Sequence, residues 1–191
     1  MRIWLLIALV AVTYTPLIAQ TGGQSWLDRP LANWNGSIKN IPRPAIWNES
    51  RERFAVRCKL EVRRSSVGER ALADSGWLPY LHVDRQLVQG DVEIIAGMSG
   101  ADGMCRPMGF NLFVLVGGQL AGTLSPVPMS SREDGSVGAV RLAPDGTIVA
   151  EFARYAEKDP LCCPSGHVGV RYRIERGARP LVVAISTQPI R

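Results

Sequence analysis

The order of apolar and polar positions predicts a chain built mostly of strands. Leu112–Val116 is a continuous apolar run of strand length, Val92–Met98 is a strand candidate, and Val168–Ile174 alternates with period two throughout. The same criteria predict further strands at 80–83, 119–124, 137–142, 147–155 and 181–185. Short turns separate most of these segments, and strands joined by short turns must pair antiparallel.

Two of the connections carry residues that favour tight turns. Gly117 and Gly118 can adopt the positive φ angles of a hairpin turn. Ala143–Gly146 places proline, aspartate and glycine in the order that a β-turn favours. We therefore expect an α+β fold that is mostly β: an antiparallel sheet or half-barrel with one short helix, held together by disulfides.

The single helix is predicted at 67–74. Glu69 follows Ser66 by three residues, which is the spacing of a capping box, and Gly76 can end the helix. The preceding segment, 54–62, is predicted to be a strand because its second half alternates apolar and polar residues.

Residues 20–50 are predicted to form an extended arm ahead of a single domain at 51–191. Prolines at this density exclude a helix and a central strand. Trp26, Trp34 and Trp47 carry too much apolar surface for a free linker, so we expect them to anchor the arm on the domain. An aromatic ladder for a ligand is the alternative.

The N-terminus has the pattern of a secretory signal peptide over residues 1–19. Arg2 precedes an unbroken apolar run from Ile3 to Val12, and Ala19 supplies a small residue before Gln20. The run is shorter than the roughly 20 residues of a membrane span. We expect cleavage and export to the periplasm or the outside, with an uncleaved anchor as the alternative.

Composition and charge indicate a globular protein and exclude few classes of function. The chain is 46% hydrophobic and 20% charged, which is typical of a globular protein, and its net charge is +5. The densest basic group is interleaved with glutamates and favours a solvated face over a polyanion site; it comprises Arg51, Arg53, Arg57, Lys59, Arg63, Arg64 and Arg70. No nucleic-acid motif, cofactor loop or metal-ligand spacing is present, so no nucleic acid, cofactor or metal is expected.

Four cysteines in an exported chain predict two disulfides among Cys58, Cys105, Cys162 and Cys163. The flanking prolines favour an extended backbone in which the tandem cysteines point to opposite sides. We prefer Cys105 with Cys162 and Cys58 with Cys163, and the swapped arrangement stays open. A bond between the adjacent cysteines closes a strained ring and is the least expected pairing. Zinc is disfavoured by this spacing, and a Cys-x-x-Cys redox motif is absent.

Several polar residues could converge near the disulfides and form a polar cleft: Asp102, Arg106, Arg132, Asp134, Arg154 and Ser165. A calcium loop would need more regularly spaced oxygen ligands. Ser165 lies two residues before His167, but a turn serine and a surface histidine explain the pair better than a nucleophile and its base, because no elbow motif is present. No catalytic residue is assigned.

The tandem cysteines also carry a family resemblance. The run Tyr155–Ser165, with the strand that follows it, resembles the C-terminal signature of the LppP/LprE family of bacterial envelope lipoproteins. The segment from Gly97 through Cys105 to the strand at 112–116 is similar to the part that precedes it, so the resemblance covers roughly residues 90–175. It implies an envelope location and a bacterial source, and it supplies no catalytic residues.

The chain departs from the family at the mature N-terminus. Family members carry a lipidated cysteine after the signal peptide, whereas Gln20 lies there in this chain and Cys58 is its first cysteine. We therefore expect no stable membrane anchor after cleavage. The first functional hypothesis is a non-catalytic envelope protein that binds an unknown ligand or protein. The alternative is a hydrolase acting on an envelope polymer.

Overall fold

The computed structural model describes residues 25–45, 49–61, 64–80 and 87–190. Most of the strands form two antiparallel sheets. The first sheet contains β1 (Leu78–Tyr80), β2 (Leu87–Gln89), β3 (Val92–Met98), β6 (Asn111–Val116) and β7 (Gln119–Thr123). The second contains β8 (Val137–Leu142), β9 (Ile148–Arg154), β10 (Gly166–Glu175) and β11 (Leu181–Ile190). Between β3 and β6 in sequence, β4 (Gly100–Ala101) and β5 (Pro107–Met108) form a small ribbon.

The prediction of a mostly β, antiparallel, disulfide-bonded fold is confirmed. The first sheet has the order β1–β3–β6–β7 with β2 also on β3, and the second has the order β11–β10–β9–β8. The predicted strand at 80–83 meets β1 only at Tyr80, and the rest of it lies outside the described residues. The predicted signal peptide also lies outside them.

There are two α-helices in the described residues, where one was predicted. Helix α2 (Val67–Asp74) has the predicted bounds and capping box: the Ser66 hydroxyl accepts the Glu69 N–H at 2.9 Å, and the Glu69 carboxylate accepts the Ser66 N–H at 3.1 Å. Helix α1 (Arg51–Arg57) lies where the sequence predicted the beginning of a strand, so that prediction is wrong.

The helical conformation of α1 follows from its cap and its buried face. The Ser50 side chain accepts the N–H of Arg53, and Phe54 and Ala55 are buried while their charged neighbours stay in solvent. Lys59 then takes a positive φ of 51°, which ends the helix. The alternation that predicted a strand begins only beyond this point.

The core has two layers, which explains why β3 and β6 are apolar along most of their length. On one face Ile94 and Val114 join the main core between the sheets, together with residues of β9 and β10 such as Phe152 and Tyr172. On the other face a smaller cluster packs beneath α2; it comprises Leu72, Trp77, Ile95, Phe113 and Leu115. Strands buried on both faces lose the alternation of half-exposed strands.

The two predicted turns are confirmed. Gly117 and Gly118 have φ angles of 56° and 79°, which a two-residue hairpin between β6 and β7 requires. In the hairpin between β8 and β9, Gly146 has a φ of 80° and the Asp145 side chain accepts the N–H of Thr147 at 2.8 Å.

One seam between the sheets is closed by a side chain of the arm. Strands β7 and β11 lie beside each other without pairing, and Asn35 bridges them. Its amide nitrogen donates to the carbonyls of Thr123 and Val182 at 3.0 Å each, and its amide oxygen accepts the Thr123 N–H at 2.8 Å. The amide thus takes the place that a strand's peptide group would occupy.

The arm is anchored through its tryptophans, as predicted for Trp26 and Trp34. Trp26 lies edge-on to Phe152 and Trp34, with ring centroids 5.0 and 5.6 Å apart, and the Trp34 indole donates to the Thr123 carbonyl at 3.2 Å. The rings begin two 3-10 turns, 26–28 and 34–36. Trp47 lies outside the described residues.

All four cysteines are disulfide-bonded, but the preferred pairing is wrong. Cys58 bonds to Cys105, and Cys162 bonds to its neighbour Cys163. The cause lies in α1, whose C-cap residue Cys58 lies beside the loop that carries Cys105. Arg57 fixes this contact by donating to the carbonyls of Ala101 and Asp102 at 3.2 and 3.0 Å. Because Cys105 is bonded to Cys58, Cys162 and Cys163 can form a disulfide only with each other.

Candidate functional site

Two of the predicted polar residues, Asp102 and Arg106, form a local ion pair in the loop between β4 and β5. The Asp102 carboxylate accepts the side-chain Nε of Arg106 at 2.6 Å, and the backbone N–H groups of Met104 and Arg106 at 2.8 and 2.9 Å. The hydrogen bond from the backbone N–H of Arg106 is the main reason why the pKa of Asp102 is lowered. This carboxylate therefore stays ionised and shapes the loop that carries Cys105.

A second pair, Asp134 with Arg154, joins the arm to the end of β9. The Arg154 guanidinium donates to Asp134 at 3.0 Å and to Asp28 of the arm at 2.7 Å. Asp134 also accepts the N–H of Tyr155 at 2.7 Å. The arginine is thus occupied on both sides by carboxylates and fixes the arm's first turn against the second sheet.

The structure sets the segment with Arg132 beside the Arg106 loop, and it places Ser165 next to Gly166, which pairs with Arg154 in the register of β9 and β10. The backbone N–H of Ser131 donates to the Pro107 carbonyl at 3.0 Å, which sets the segment with Arg132 beside the Arg106 loop. Ser165 instead donates its N–H to Asp159 at 2.8 Å. Among the hydrogen bonds of the described residues, none joins Ser165 to either ion pair. One shared cleft for all six residues stays a prediction.

An apolar cleft lies where the arm crosses the loop after β7, and we call it the arm cleft. It has a volume of about 210 Å³ and is lined by Trp26, Arg29, Pro30, Leu31, Ala32, Trp34, Pro126 and Val127. Val127 is 49% exposed despite being apolar. The sequence indicated the tryptophans but not the cleft, because its second wall comes from a loop about 90 residues further along the chain.

A larger cleft of about 340 Å³ lies among the turns at one end of the sheets, and we call it the turn cleft. Its lining includes Gln89, Asp91, Pro144, Asp145, Arg173 and Arg176. Its strongest charges are already paired: Arg176 binds both carboxylate oxygens of Asp91 at 2.7 and 2.9 Å, which lowers the pKa of Asp91. A charged ligand would have to displace such partners, so this cleft is the weaker candidate.

The tandem cysteines lie on an exposed loop, residues 155–165, which we call the cysteine loop. Asp159 closes the base of this loop by accepting the N–H groups of Ala156 and Ser165 at 2.7 and 2.8 Å, and these bonds lower its pKa. The Cys163 N–H donates to the Pro160 carbonyl at 2.9 Å. Both cysteines are exposed at its tip, beside Leu161, which is 70% exposed. Sequence analysis marked the cysteines but missed Asp159.

The comparisons with known proteins bear on the second half of the chain. Residues 89–177 match the LppP/LprE lipoprotein family. The resemblance seen in the sequence is thereby confirmed over this range, which includes Cys105 and the whole cysteine loop. A match to this lipoprotein family indicates an exported, envelope-associated protein. No curated protein and no solved structure matches the chain. Within the described residues, no helix is both long and apolar enough to cross a membrane.

Proposed function

We propose that the protein is a non-catalytic binding domain that acts after export, in the periplasm or outside the cell. Its partner is an extended apolar segment of another envelope protein, which inserts a side chain into the arm cleft. The observation that carries the proposal is an open cleft with two tryptophans, two prolines and the exposed Val127 in its wall. Tryptophan is enriched among the residues that dominate binding energy at protein interfaces.

The size of the arm cleft favours a polypeptide over a small molecule. Small-molecule sites usually measure roughly 300–1,000 Å³, whereas this cleft has about 210 Å³. That volume suits one or two apolar side chains of a longer partner. Grooves lined by aromatic rings also recognise proline-rich segments, whose extended conformation is already formed before binding.

Rigidity and charge support the same partner. The cleft's tryptophans are held by ring contacts and by the bond from Trp34 to the Thr123 carbonyl, so little ordering entropy is lost on binding. Arg29 is exposed at the rim, and no ion pair joins it to another described residue. A partner segment with a carboxylate next to its apolar anchor would match this rim.

The alternative of an envelope hydrolase has less support. Glycoside hydrolysis needs a carboxylic acid whose pKa is raised so that it can donate a proton. The pKa of Asp102 is lowered, mainly by the backbone donor of Arg106. Arg154 is held between two carboxylates. These residues are therefore better suited to shaping loops than to proton transfer.

The proposal is tested with a photo-crosslinking residue at position 30 of the exported protein in its native envelope. We expect a crosslinked partner that is lost in Val127→Asp and retained in the matched control Val67→Asp, because Val67 is an exposed valine on α2. A synthetic peptide of the crosslinked segment should then change the tryptophan fluorescence of the purified protein. A crosslink that survives Val127→Asp, or a peptide that does not bind, would refute the proposal.

A further inference from the structure

We propose that Cys162 and Cys163 form a thiol–disulfide exchange site, whose reduced form is a chelating dithiol for thiophilic electrophiles such as trivalent arsenicals. This inference is independent of the arm cleft. It starts from the different pairing of the two disulfides: Cys58–Cys105 joins residues 47 apart in sequence, and Cys162–Cys163 joins neighbours.

A disulfide between neighbours gives the fold almost none of the usual benefit. A crosslink stabilises chiefly by restricting the unfolded chain, and its effect grows with the length of chain that it encloses. The Cys58–Cys105 bond encloses a long segment and joins α1 to the β4–β5 loop. The Cys162–Cys163 bond encloses no residue, so stability does not account for it.

The cysteine loop keeps its shape without the bond between its cysteines. Asp159 ties Ala156 to Ser165 across the base of the loop, and the Tyr155 hydroxyl donates to the Leu161 carbonyl at 3.1 Å. None of these contacts uses a sulfur atom. Reduction would therefore leave two neighbouring thiols on a loop of nearly unchanged shape, which is the arrangement that a two-thiol chelator needs.

Exposure makes the two sulfurs accessible to an external reagent. Cys162, Cys163 and Leu161 are all exposed. Thiol–disulfide exchange requires an attacking thiolate to reach a sulfur, and exposed disulfides are typically the labile ones. The apolar Leu161 beside them offers a contact for the reagent that delivers the thiol.

The exchange balances with an external dithiol as reductant. One of its thiolates attacks a cysteine sulfur, the Cys162–Cys163 bond breaks, and a mixed disulfide forms while the other cysteine leaves as a thiolate and takes up a proton. The second thiol of the reductant then displaces the remaining cysteine. Two electrons and two protons pass to the protein, and the reductant becomes a cyclic disulfide. An arsenical oxide then bonds both thiols and releases water.

The test is a dithiothreitol titration of the folded, full-length exported protein. Free thiols are alkylated at each step and located by peptide mapping under non-reducing conditions. We expect the peptide with Cys162 and Cys163 to acquire two thiols at a reductant concentration at least tenfold below that which opens Cys58–Cys105. The melting temperature of the partly reduced protein should match that of the oxidised protein.

A second measurement, arsenical binding, tests the inference without depending on which disulfide is reduced faster. The partly reduced protein should bind one phenylarsine oxide, which protects both cysteines from alkylation, and the variants Cys162→Ser and Cys163→Ser should bind none tightly. Simultaneous opening of both disulfides would overturn the proposal, as would a map that joins Cys162 or Cys163 to Cys58 or Cys105. The proposal would also be overturned if the reduced pair failed to retain the arsenical.

Discussion

Replacing Asn35 by alanine tests whether one side chain closes the seam between the two sheets. Asn35 is only 1% exposed, and its amide satisfies the Thr123 N–H and the Val182 carbonyl. The Thr123 carbonyl would keep a partner because the Trp34 indole also donates to it. The substitution therefore leaves one buried donor, the Thr123 N–H, and one buried acceptor, the Val182 carbonyl, without a hydrogen-bond partner.

The expected loss of stability follows from these two unpaired polar groups. A buried polar group without a partner costs about 1–3 kcal/mol, so the pair would cost about 2–6 kcal/mol. Water that enters the space left by the amide recovers part of this, and we expect Asn35→Ala to lower the free energy of unfolding by about 2–4 kcal/mol. For a protein of this size, that corresponds to a fall of roughly 5–15 °C in the melting temperature.

The matched control for this measurement is Asn33→Ala. Asn33 lies two residues away on the same arm, is exposed, and makes no capping hydrogen bond with its side chain. Its replacement should change stability by less than about 0.5 kcal/mol. Thermal and urea unfolding of both variants, followed by circular dichroism, give the comparison. Equal melting temperatures for the two variants would refute the role assigned to Asn35.

Three further variants test the packing against Asn35, the long-range disulfide and the cysteine loop. Gly122→Ala should destabilise the protein by about 1–3 kcal/mol in urea unfolding, because a Cβ there would collide with the Asn35 amide and the backbone has a φ of +148°. In the same assay, the free energy of unfolding of the double variant Cys58→Ser/Cys105→Ser should fall by up to about 4 kcal/mol. This is the loop-closure entropy that a disulfide with a sequence separation of 47 removes from the unfolded chain. The pKa of Asp159 is lowered by the N–H groups of Ala156 and Ser165, so its contribution is present above about pH 4 and lost as pH falls through the folded-state pKa. The difference in melting temperature between the native protein and Asp159→Asn should therefore shrink on acidification over that range.

The parts of the fold that were predicted from sequence are those whose cause is local. The bounds of α2 follow from Ser66 and Glu69, which bond to each other within one turn. The hairpin at Gly117 and Gly118 needs only the permissive φ of its own residues. Strand β10 was recognisable because its inner face and its outer face alternate along the sequence itself.

The features that escaped prediction depend on distant neighbours. Asn35 has no local signature, because its bonds reach residues 88 and 147 positions away. The pairing of Cys58 depends on α1 docking beside the β4–β5 loop, and the sequence pattern predicted a strand in the place of α1. The bond between Cys162 and Cys163 was the least expected one because it closes a strained ring, and that argument led to the wrong disulfides.

The two proposed sites depend on different parts of the chain, and this makes their tests independent. The cysteine loop, with Asp159 at its base, lies wholly within the family match at 89–177. The arm cleft takes only Pro126 and Val127 from that region, and its tryptophans come from the arm outside it. Chemistry at the tandem cysteines therefore needs only what the matched region provides. Recognition at the arm cleft needs an arm as well, so a protein with the matched region but without such an arm could exchange thiols and still lack this partner.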